Sequence, residues 1–264
     1  MTDAELAARL AGAAGRLALT LRDTGLVSGR ALGDAGDQAV NVLLMKALAE
    51  ARPEDGVLSE ETTDSLDRLG KARVWIIDPL DGTREYAEGR DDWAVHVALA
   101  VDGVATVGAV ALPARGLVFR SDAPPPPVTR PARPRLLVSR SRPPEAATRL
   151  AEALDADMVP MGSAGAKAMA VLMGEGDIYF HTGGQHQWDN AAPVAVARAA
   201  GMVATRADGG PCIYNGAETL LPDLLICAPE LAPACAPCWT GSTCRERRNG
   251  SRPGGGAWRG PSGP

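Results

Sequence analysis

The feature that most constrains the fold is a proline-rich segment near the middle of the chain, Asp122-Ala-Pro-Pro-Pro-Pro-Val-Thr-Arg-Pro-Ala-Arg-Pro134. Proline lacks the backbone N–H that the interior of a sheet or helix requires, and consecutive prolines favour a stiff, extended chain. The segment therefore predicts a connector between two halves. On this basis the chain divides into an N-terminal α+β half at 1–122, a connector at 123–134, a C-terminal α/β half at 135–228, and a low-complexity, disordered tail at 229–264.

Apolar periodicity predicts helices at the start of the first half and strands after them. Thr2 and Glu5 have capping-box spacing before a helical pattern that continues to about residue 22. A second helical pattern runs through 40–48 and ends before Pro53. Later apolar runs predict strands at 74–77, 93–101, 104–112 and 117–119, with Asp102-Gly103 as a two-residue hairpin turn.

The second half shows alternating strand and helix patterns, which are typical of an α/β arrangement. Strands are predicted at 136–139, 157–160, 178–181 and 224–227, and helices at 143–154, 163–173 and 189–200. Gly174 and Gly201 stand where helix C-caps are expected.

Charge and apolar content exclude several classes of function. The formal net charge is −5 and the first 230 residues contain no concentrated basic stretch, which argues against nucleic acid as a partner. The chain contains neither an apolar run of about 18 residues nor a signal-peptide pattern, so we expect no membrane association and a cytoplasmic location. The five cysteines do not indicate a disulfide framework.

The most informative stretch is Val74-Trp-Ile-Ile-Asp-Pro-Leu-Asp-Gly-Thr-Arg-Glu85. A buried strand is expected to end at Asp78, because Pro79 cannot continue the hydrogen bonding of a sheet. Gly82 permits a tight turn of the backbone, so the carboxylates of Asp78 and Asp81 can converge. Carboxylate oxygens suit Mg²⁺ or Mn²⁺ rather than zinc. The backbone N–H groups of Gly82 and Thr83 could bind phosphate. The alternative for this stretch alone is a solvated Asp-Pro-Gly turn.

Two further acidic segments bear on that choice. Glu60 and Glu61 follow a short apolar segment, and a hairpin-like return would bring Glu60 beside Asp78; alone, the pair could be an ordinary surface turn. Asp189 stands in Gln187-Trp-Asp-Asn-Ala-Ala192 at the start of a predicted helix. It is expected as an N-cap, and its second oxygen could also bind a cation.

Taken in order, these segments resemble the inositol monophosphatase superfamily of Mg²⁺-dependent, lithium-sensitive phosphatases. Its pattern of Glu-Glu, Trp-x-Ile-Asp-Pro-Leu/Ile-Asp-Gly-Thr and Trp-Asp-x-Ala-Ala matches this sequence at 60–61, 75–83 and 188–192, and Asp37 lies in a segment similar to the family's Thr-Asp-Gln. The resemblance covers roughly residues 1–228. It implies an α/β (mixed α+β) fold, a layered αβαβα sandwich of the inositol monophosphatase and sugar phosphatase type.

The resemblance also implies roles for individual residues. Glu60, Asp78 and the carbonyl of Leu80 would hold one Mg²⁺, and Asp78, Asp81 and Asp189 a second. Two cations about 4 Å apart would neutralise the phosphate and stabilise both the attacking and the leaving oxygen. The catalytic residues would be Asp37 and Thr83, which orient and deprotonate the attacking water, together with Glu61, which acts beside the metals or on a weaker third ion.

Substrate contacts are expected from two segments. Gly82 and Thr83 would donate backbone hydrogen bonds to phosphate, and Arg84 could face a substrate phosphate or only the surface. In the second half, the start of a helix offers backbone donors, a hydroxyl and one cation for a ribose or a second phosphate. These candidates are Gly162, Ser163, Ala164 and Lys167. The alternative is a helix cap at Ser163 and a solvated Lys167.

Within the superfamily, 82–86, 162–167 and 183–185 resemble the 3′(2′),5′-bisphosphate nucleotidase branch. The resemblance implies hydrolysis of 3′-phosphoadenosine 5′-phosphate (PAP) to AMP and phosphate, linked to sulfate assimilation. The alternatives are action on inositol 1-phosphate or fructose 1,6-bisphosphate, or a non-catalytic protein that senses metal or phosphate. A homodimer is expected from the family. His96, inside an alternating strand, is interpreted as a packed, hydrogen-bonded histidine.

Overall fold

Two five-stranded sheets form the frame of the computed structural model, which describes residues 1–141 and 143–239. The first sheet has the order β1-β2-β3-β4-β5 and the second β7-β6-β8-β10-β9. The elements of the first half are α1 Asp3–Asp23, α2 Gly29–Ala51, β1 Gly56–Ser59, β2 Arg73–Asp81, α3 Thr83–Ala87, β3 Ala94–Val101, β4 Val104–Leu112 and β5 Leu117–Arg120. Those of the second half are β6 Arg135–Ser139, α4 Glu145–Leu154, β7 Asp157–Met161, α5 Ala164–Met173, β8 Ile178–His186, α6 Gln187–Ala199, β9 Val203–Thr205, β10 Leu220–Cys227 and α7 Ala232–Trp239.

The layers follow the order α, β, α, β, α. One core packs α1 and α2 on one face of the first sheet, a second packs α5 and α6 between the two sheets, and a third packs α4 and α7 on the outer face of the second sheet. Each sheet therefore buries both of its faces. This arrangement confirms the predicted αβαβα sandwich.

Local signals in the sequence set several element boundaries. The Thr2 side chain accepts from the backbone of Glu5 and the Glu5 side chain accepts from the backbone of Thr2, so the predicted capping box begins α1. Asp102 and Gly103 have φ of 48° and 78°, as a hairpin turn with two left-handed residues requires. The predicted hairpin between β3 and β4 is confirmed.

The first sheet differs from expectation around β2. The strand continues through Pro79 to Asp81, with an irregularity in its pairing with β3 between Asp78 and Asp81. Proline is tolerated there because the ladder is already interrupted. The hairpin-like return from Glu60 is wrong: β1 pairs with β2 in parallel, because the chain between them crosses back before β2 starts.

The segment from 124 to 134 contains no helix or strand. Arg130 nevertheless fastens it to the second half by donating to the carbonyls of Val171 and Gly176 and to the carboxylate of Asp177. These bonds tie the middle of the connector to the end of α5 and the loop before β8. The connector is therefore anchored to the surface of the second half.

The segment after β10 also departs from expectation. A tail without periodic structure was predicted for 229–264, yet a 3₁₀ turn at Pro229–Leu231 leads into α7. Cys235 on this helix packs with the outer core of the second sheet, which gives α7 a buried face. The rest of that prediction, 240–264, lies outside the described residues. No described helix combines the length and apolar character needed to cross a bilayer.

The middle layer lies very close to the first sheet at Gly108 of β4. A Cβ atom added there would lie 2.6 Å from the carbonyl oxygen of Ala192 and 2.8 Å from the Cβ of Ala195, both on α6. Only a residue without a side chain permits this contact. Gly108 thus sets how closely α6 approaches the sheet.

Candidate metal centre

The end of β2 places two aspartates at one edge of the first sheet. Asp78 pairs with His96 of β3 and its Oδ1 accepts the backbone N–H of Leu80 at 3.0 Å. Three residues later, beyond the irregularity in pairing, Asp81 faces the same space. Gly82 follows with φ of 92°, a left-handed conformation that turns the chain into α3.

Asp189 joins these two residues from the other half of the chain. One carboxylate oxygen from each of Asp78, Asp81 and Asp189 lies within 4.8 Å of the others. The predicted N-cap role of Asp189 is wrong, because α6 begins at Gln187 and Asp189 occupies its third position. From there its carboxylate reaches back and accepts the backbone N–H of His186, which neutralises part of its charge and fixes its orientation.

Glu60 reaches the same cluster from the end of β1. The parallel register pairs Ser59 with Ile77, and the N–H of Glu60 donates to the carbonyl of Ile77 at 3.4 Å. Glu60 therefore comes next to Asp78, as predicted, although by parallel pairing. Asn41 of α2 supports this loop, since its amide accepts from Ser59 Oγ and donates to Thr62 Oγ1.

The cluster contains mutually repelling carboxylates. Among the described residues, no arginine or lysine forms an ion pair with Glu60, Asp78 or Asp189. Burial and then repulsion from Glu60 and Asp81 raise the pKa of Asp78 well above its usual range. Burial and then Asp81 raise the pKa of Asp189 to about 7. Glu60 stays accessible to solvent at the mouth of the cluster, and partial desolvation followed by repulsion from Asp189 raises its pKa too.

This donor set fits a hard divalent cation. All the candidate ligand atoms are oxygens, their charges repel one another, and no lysine or arginine of the described residues forms an ion pair with Asp78. A cation would remove the repulsion that raises these pKa values. Asp78, Asp81, Asp189 and Glu60 are thus brought together as the sequence predicted, and the backbone of Leu80 lies between the two β2 aspartates.

Asp81 differs from the other carboxylates because neighbouring donors hold it. It accepts from Ser163 Oγ, from the N–H of Ala164 at 3.1 Å and from the N–H of Gly165 at 2.7 Å, and His96 Nε2 lies 3.2 Å away. Burial alone would raise the pKa of Asp81, but these contacts, with His96 the largest, lower it to about 2. Asp81 is therefore ionised before any cation arrives.

Asp37 and Thr83 form the predicted pair beside the cluster. Thr83 Oγ1 lies 3.0 Å from Asp37 Oδ2 and 3.1 Å from the carbonyl oxygen of Leu80, so its single hydrogen can be donated to either. Burial, and then repulsion from Glu61, raises the pKa of Asp37 to about 7. Asp37 Oδ1 is buried without a hydrogen-bond partner among the described residues. That oxygen can accept a proton from a water molecule.

The remaining first-half candidates lie around this pair. Glu61 is exposed, and its backbone N–H donates to Ser59 Oγ. Arg84 is also exposed and lines, with Thr83, a cavity of about 470 Å³ between α2 and α3. The cavity also contains Arg30 and two acidic side chains, Asp34 and Glu88. Arg84 therefore faces open space next to Asp37 and Thr83.

The second-half candidates have donors that already bind protein atoms. The N–H of Gly162 donates to Asp92 at 2.7 Å, while Ser163 and Ala164 donate to Asp81. Lys167 is buried, its Nζ donates to backbone carbonyls of 161–163, and burial lowers its pKa to about 8. These backbone, hydroxyl and ammonium donors therefore stabilise the loop before α5 and orient Asp81, and they do not point into open space. The predicted solvated Lys167 is wrong, and the predicted cap at Ser163 is confirmed by its bond to the N–H of Ala166.

Two residues at the centre of the site have contacts that the sequence does not indicate. The predicted packed, hydrogen-bonded His96 is confirmed, and its ring also lies against the aspartates. Its place opposite Asp78 follows from the antiparallel register of β2 with β3. Gly165 lies in the segment 162–167 that resembles the nucleotidase branch, but its backbone bond to Asp81 was not predicted.

Comparison with known proteins gives a consistent result. The family model described as "Inositol monophosphatase family" matches residues 7–239. A 3′-phosphoadenosine 5′-phosphate phosphatase of Mycobacterium leprae is 51% identical over 252 residues, covering 88% of this chain and 92% of that protein. The 3′(2′),5′-bisphosphate nucleotidase CysQ of Shigella flexneri is 30% identical over 199 residues, covering 71% and 81%. The solved structure of CysQ from Bacteroides thetaiotaomicron has a TM-score of 0.74 at 24% identity, covering 86% of this chain and 97% of that one.

Proposed function

This chain belongs to the inositol monophosphatase family, and from that premise we propose that it is a Mg²⁺-dependent phosphomonoesterase that hydrolyses PAP to AMP and phosphate. Half of its residues are identical to those of a curated PAP phosphatase over nearly the whole length of both chains. The observation that carries the proposal is the meeting of Asp78, Asp81 and Asp189 from two segments that are distant in sequence, β2 and the start of α6. In the described fold no arginine or lysine forms an ion pair with any of the three, and only His96 lies at ion-pair distance from Asp78 and Asp81.

The proposed ligands are those that the family resemblance implies, and the meeting of Asp78, Asp81 and Asp189 supports the second set. Glu60, Asp78 and the Leu80 carbonyl would hold one Mg²⁺, and Asp78, Asp81 and Asp189 a second. When bound, the cations supply positive charge that attracts the phosphate and lowers the pKa of water. Without them the carboxylates would repel a phosphomonoester dianion.

The remaining chemistry belongs to the chain itself. Asp37, with its buried unpartnered oxygen and its raised pKa, takes the proton of the attacking water, and Thr83 orients that water by its hydroxyl. Gly82 and Thr83 provide the backbone turn that receives the phosphate. Arg84, exposed at the adjoining cavity, is proposed to meet a negatively charged part of the substrate.

The test is a substrate panel with the full chain. Phosphate release from PAP, 3′-AMP, inositol 1-phosphate and fructose 1,6-bisphosphate is measured with Mg²⁺, with Mn²⁺, with chelator and with added Li⁺. We expect the highest kcat/KM for PAP with Mg²⁺, inhibition by Li⁺ and loss of activity with chelator. Asp78→Asn should lower kcat/KM by about 10³-fold or more, because it removes the charge and one carboxylate oxygen of the residue that would help to hold both cations.

Asp91→Asn is the matched control, since Asp91 is an exposed aspartate outside the cluster. It should keep the activity of the unaltered chain. The proposal fails if the folded protein releases no phosphate from PAP in the presence of either metal, or if another substrate of the panel is preferred. A homodimer and a cytoplasmic location remain predictions; light scattering of the purified chain tests the first.

A further inference from the structure

His96 contacts both segments that supply the aspartates, β2 and the start of α6. Its Nδ1 lies 3.0 Å from the carbonyl oxygen of Trp188, the residue before Asp189, and 3.9 Å from Asp78 Oδ2. Its Nε2 lies 3.2 Å from Asp81 Oδ2. Because a carbonyl oxygen only accepts, Nδ1 carries the hydrogen of the Trp188 contact. One ring therefore joins β2, β3 and the start of α6.

The surroundings of the ring are shaped to admit it. His96 has no exposed surface. A Cβ atom added to Gly165 would lie 2.1 Å from His96 Nε2, so α5 can pass the ring only because it carries a glycine at that point. The same Gly165 donates its N–H to Asp81 Oδ2, the oxygen that faces the ring. The glycine thus makes room for His96 and shares its partner.

We propose that His96 is a positioning residue that sets the spacing of Asp78, Asp81 and Asp189 for cation binding. The inference rests on the proposed function, because it assumes that these aspartates bind Mg²⁺. Asp81 and Asp189 belong to different halves of the chain. His96 Nε2 lies at ion-pair distance from Asp81 without a hydrogen bond among the described residues, and Nδ1 donates to the backbone carbonyl of the residue before Asp189. Side chains that orient metal ligands in this way commonly change metal affinity 10–100-fold when replaced.

The contributions of the two ring nitrogens of His96 can be tested separately by substitution. Asparagine places its amide near the position of Nδ1, so His96→Asn retains a donor towards the Trp188 carbonyl but does not reach Asp81. Glutamine extends as far as Nε2, so His96→Gln reaches Asp81 but leaves the carbonyl of Trp188. His96→Leu fills much of the same space without any polar atom. A role confined to packing predicts that leucine is tolerated best.

The experiment titrates the metal-free full chain with Mg²⁺ by calorimetry and by the shift in melting temperature, without substrate. We expect His96→Leu to weaken Mg²⁺ binding about 10–100-fold, and the asparagine and glutamine variants to lie between leucine and the unaltered chain. Val97→Ala is the matched control: Val97 belongs to the same strand but packs in the core with α1 and α2. It should lower the melting temperature while leaving the Mg²⁺ affinity unchanged.

Activity then separates this role from a merely structural one. At saturating Mg²⁺, the variants should regain most of their kcat for PAP with KM unchanged, because His96 acts through the ligands and not on the substrate. The proposal is overturned if folded His96→Leu binds Mg²⁺ as tightly as the unaltered chain, or if Val97→Ala weakens binding equally. If His96→Leu does not fold, the asparagine variant decides by the same criterion. The proposed function itself fails separately, if the unaltered chain binds Mg²⁺ but releases no phosphate from PAP.

Discussion

Asp78 and Asp177 are equally buried, each with 1% of its surface exposed, but their surroundings differ. Asp177 stands before β8 and receives the guanidinium groups of Arg130 and Arg135 as well as the N–H of Arg135. Burial would raise its pKa, but these donors lower it below the usual range. Asp78 has carboxylates for neighbours, and its pKa is raised. The charge of an aspartate with the same small exposed surface is thus balanced at Asp177 and unbalanced at Asp78.

The difference distinguishes a structural carboxylate from a functional one. At Asp177 the counter-charge belongs to the chain, so the ion pair is complete when the protein folds. At Asp78 the counter-charge has to come from solution. The folded state therefore carries an electrostatic cost at the metal centre that a cation removes, and perturbed groups of this kind typically mark functional sites.

The largest expected effect comes from neutralising each aspartate in turn. In the absence of divalent cations, Asp177→Asn should lower the free energy of unfolding by about 3 kcal/mol, because two arginines lose their buried counter-charge. Asp78→Asn should not lower it and should raise the melting temperature, because it removes repulsion. Urea unfolding monitored by circular dichroism measures both. Equal destabilisation by the two variants would contradict the comparison.

A smaller effect should appear as a pH dependence of the metal-free protein. The pKa of Asp189 is about 7 in the folded chain against 3.8 for an unperturbed aspartate, and that of Asp37 is also about 7. Between these values the folded state binds protons that the unfolded state has lost, so stability must fall as pH rises from about 4 to 7. Raised carboxylate pKa values have this sign, whereas the lowered pKa of Asp177 affects stability only at more acidic pH.

The measurement is a series of melting temperatures from pH 5 to pH 8, with chelator and with saturating Mg²⁺. We expect the melting temperature to decrease with pH in chelator and to change much less in Mg²⁺, because the cation binds the deprotonated carboxylates. Calorimetry near pH 6.5 in buffers of different ionisation enthalpy should detect proton release on Mg²⁺ binding. A melting temperature that rises across this interval in chelator would argue against unbalanced carboxylates.

The smallest effect concerns Asp81, whose charge is partly balanced by contacts within the chain itself. Ser163→Ala removes a hydroxyl that donates to Asp81 and also caps α5. We expect a loss of about 1 kcal/mol in stability and a Mg²⁺ affinity about 10-fold weaker. Thr2→Ala is the control, since Thr2 caps α1 far from the site. It should lose similar stability with unchanged Mg²⁺ affinity; equal losses of affinity would show that cap loss alone is responsible.

The sequence allowed the convergence of carboxylates to be predicted because each acidic segment lies at the end of an element with a strong local signal. The apolar run before Asp78 predicts where that strand ends, and the helical pattern after Asp189 predicts where that helix begins. The partner of Glu60 was predicted correctly although the strand direction was wrong, because parallel and antiparallel pairing can place the same two strand ends together. Local patterns do not determine that direction.

The sequence does not indicate contacts between side chains that are distant in sequence. The alternative of a solvated Lys167 is wrong, because tertiary packing buries it over the ring of Tyr179 and directs it to backbone carbonyls. His96 was interpreted by its strand pattern alone, which shows burial but not the identity of neighbours. Helix and strand periodicity predict which face is buried; they do not predict what another half of the chain places against it.

The close approach at Gly108 limits how this protein can change over evolutionary time. The residue has no functional group and lies in β4, away from the aspartates in sequence, yet any side chain there would push against Ala192, one turn along α6 from Asp189. A substitution at Gly108 should therefore displace both the core contact at Ala195 and the start of α6 that carries Asp189. A residue that contributes no atom to the carboxylate cluster thus limits where one of its members can lie.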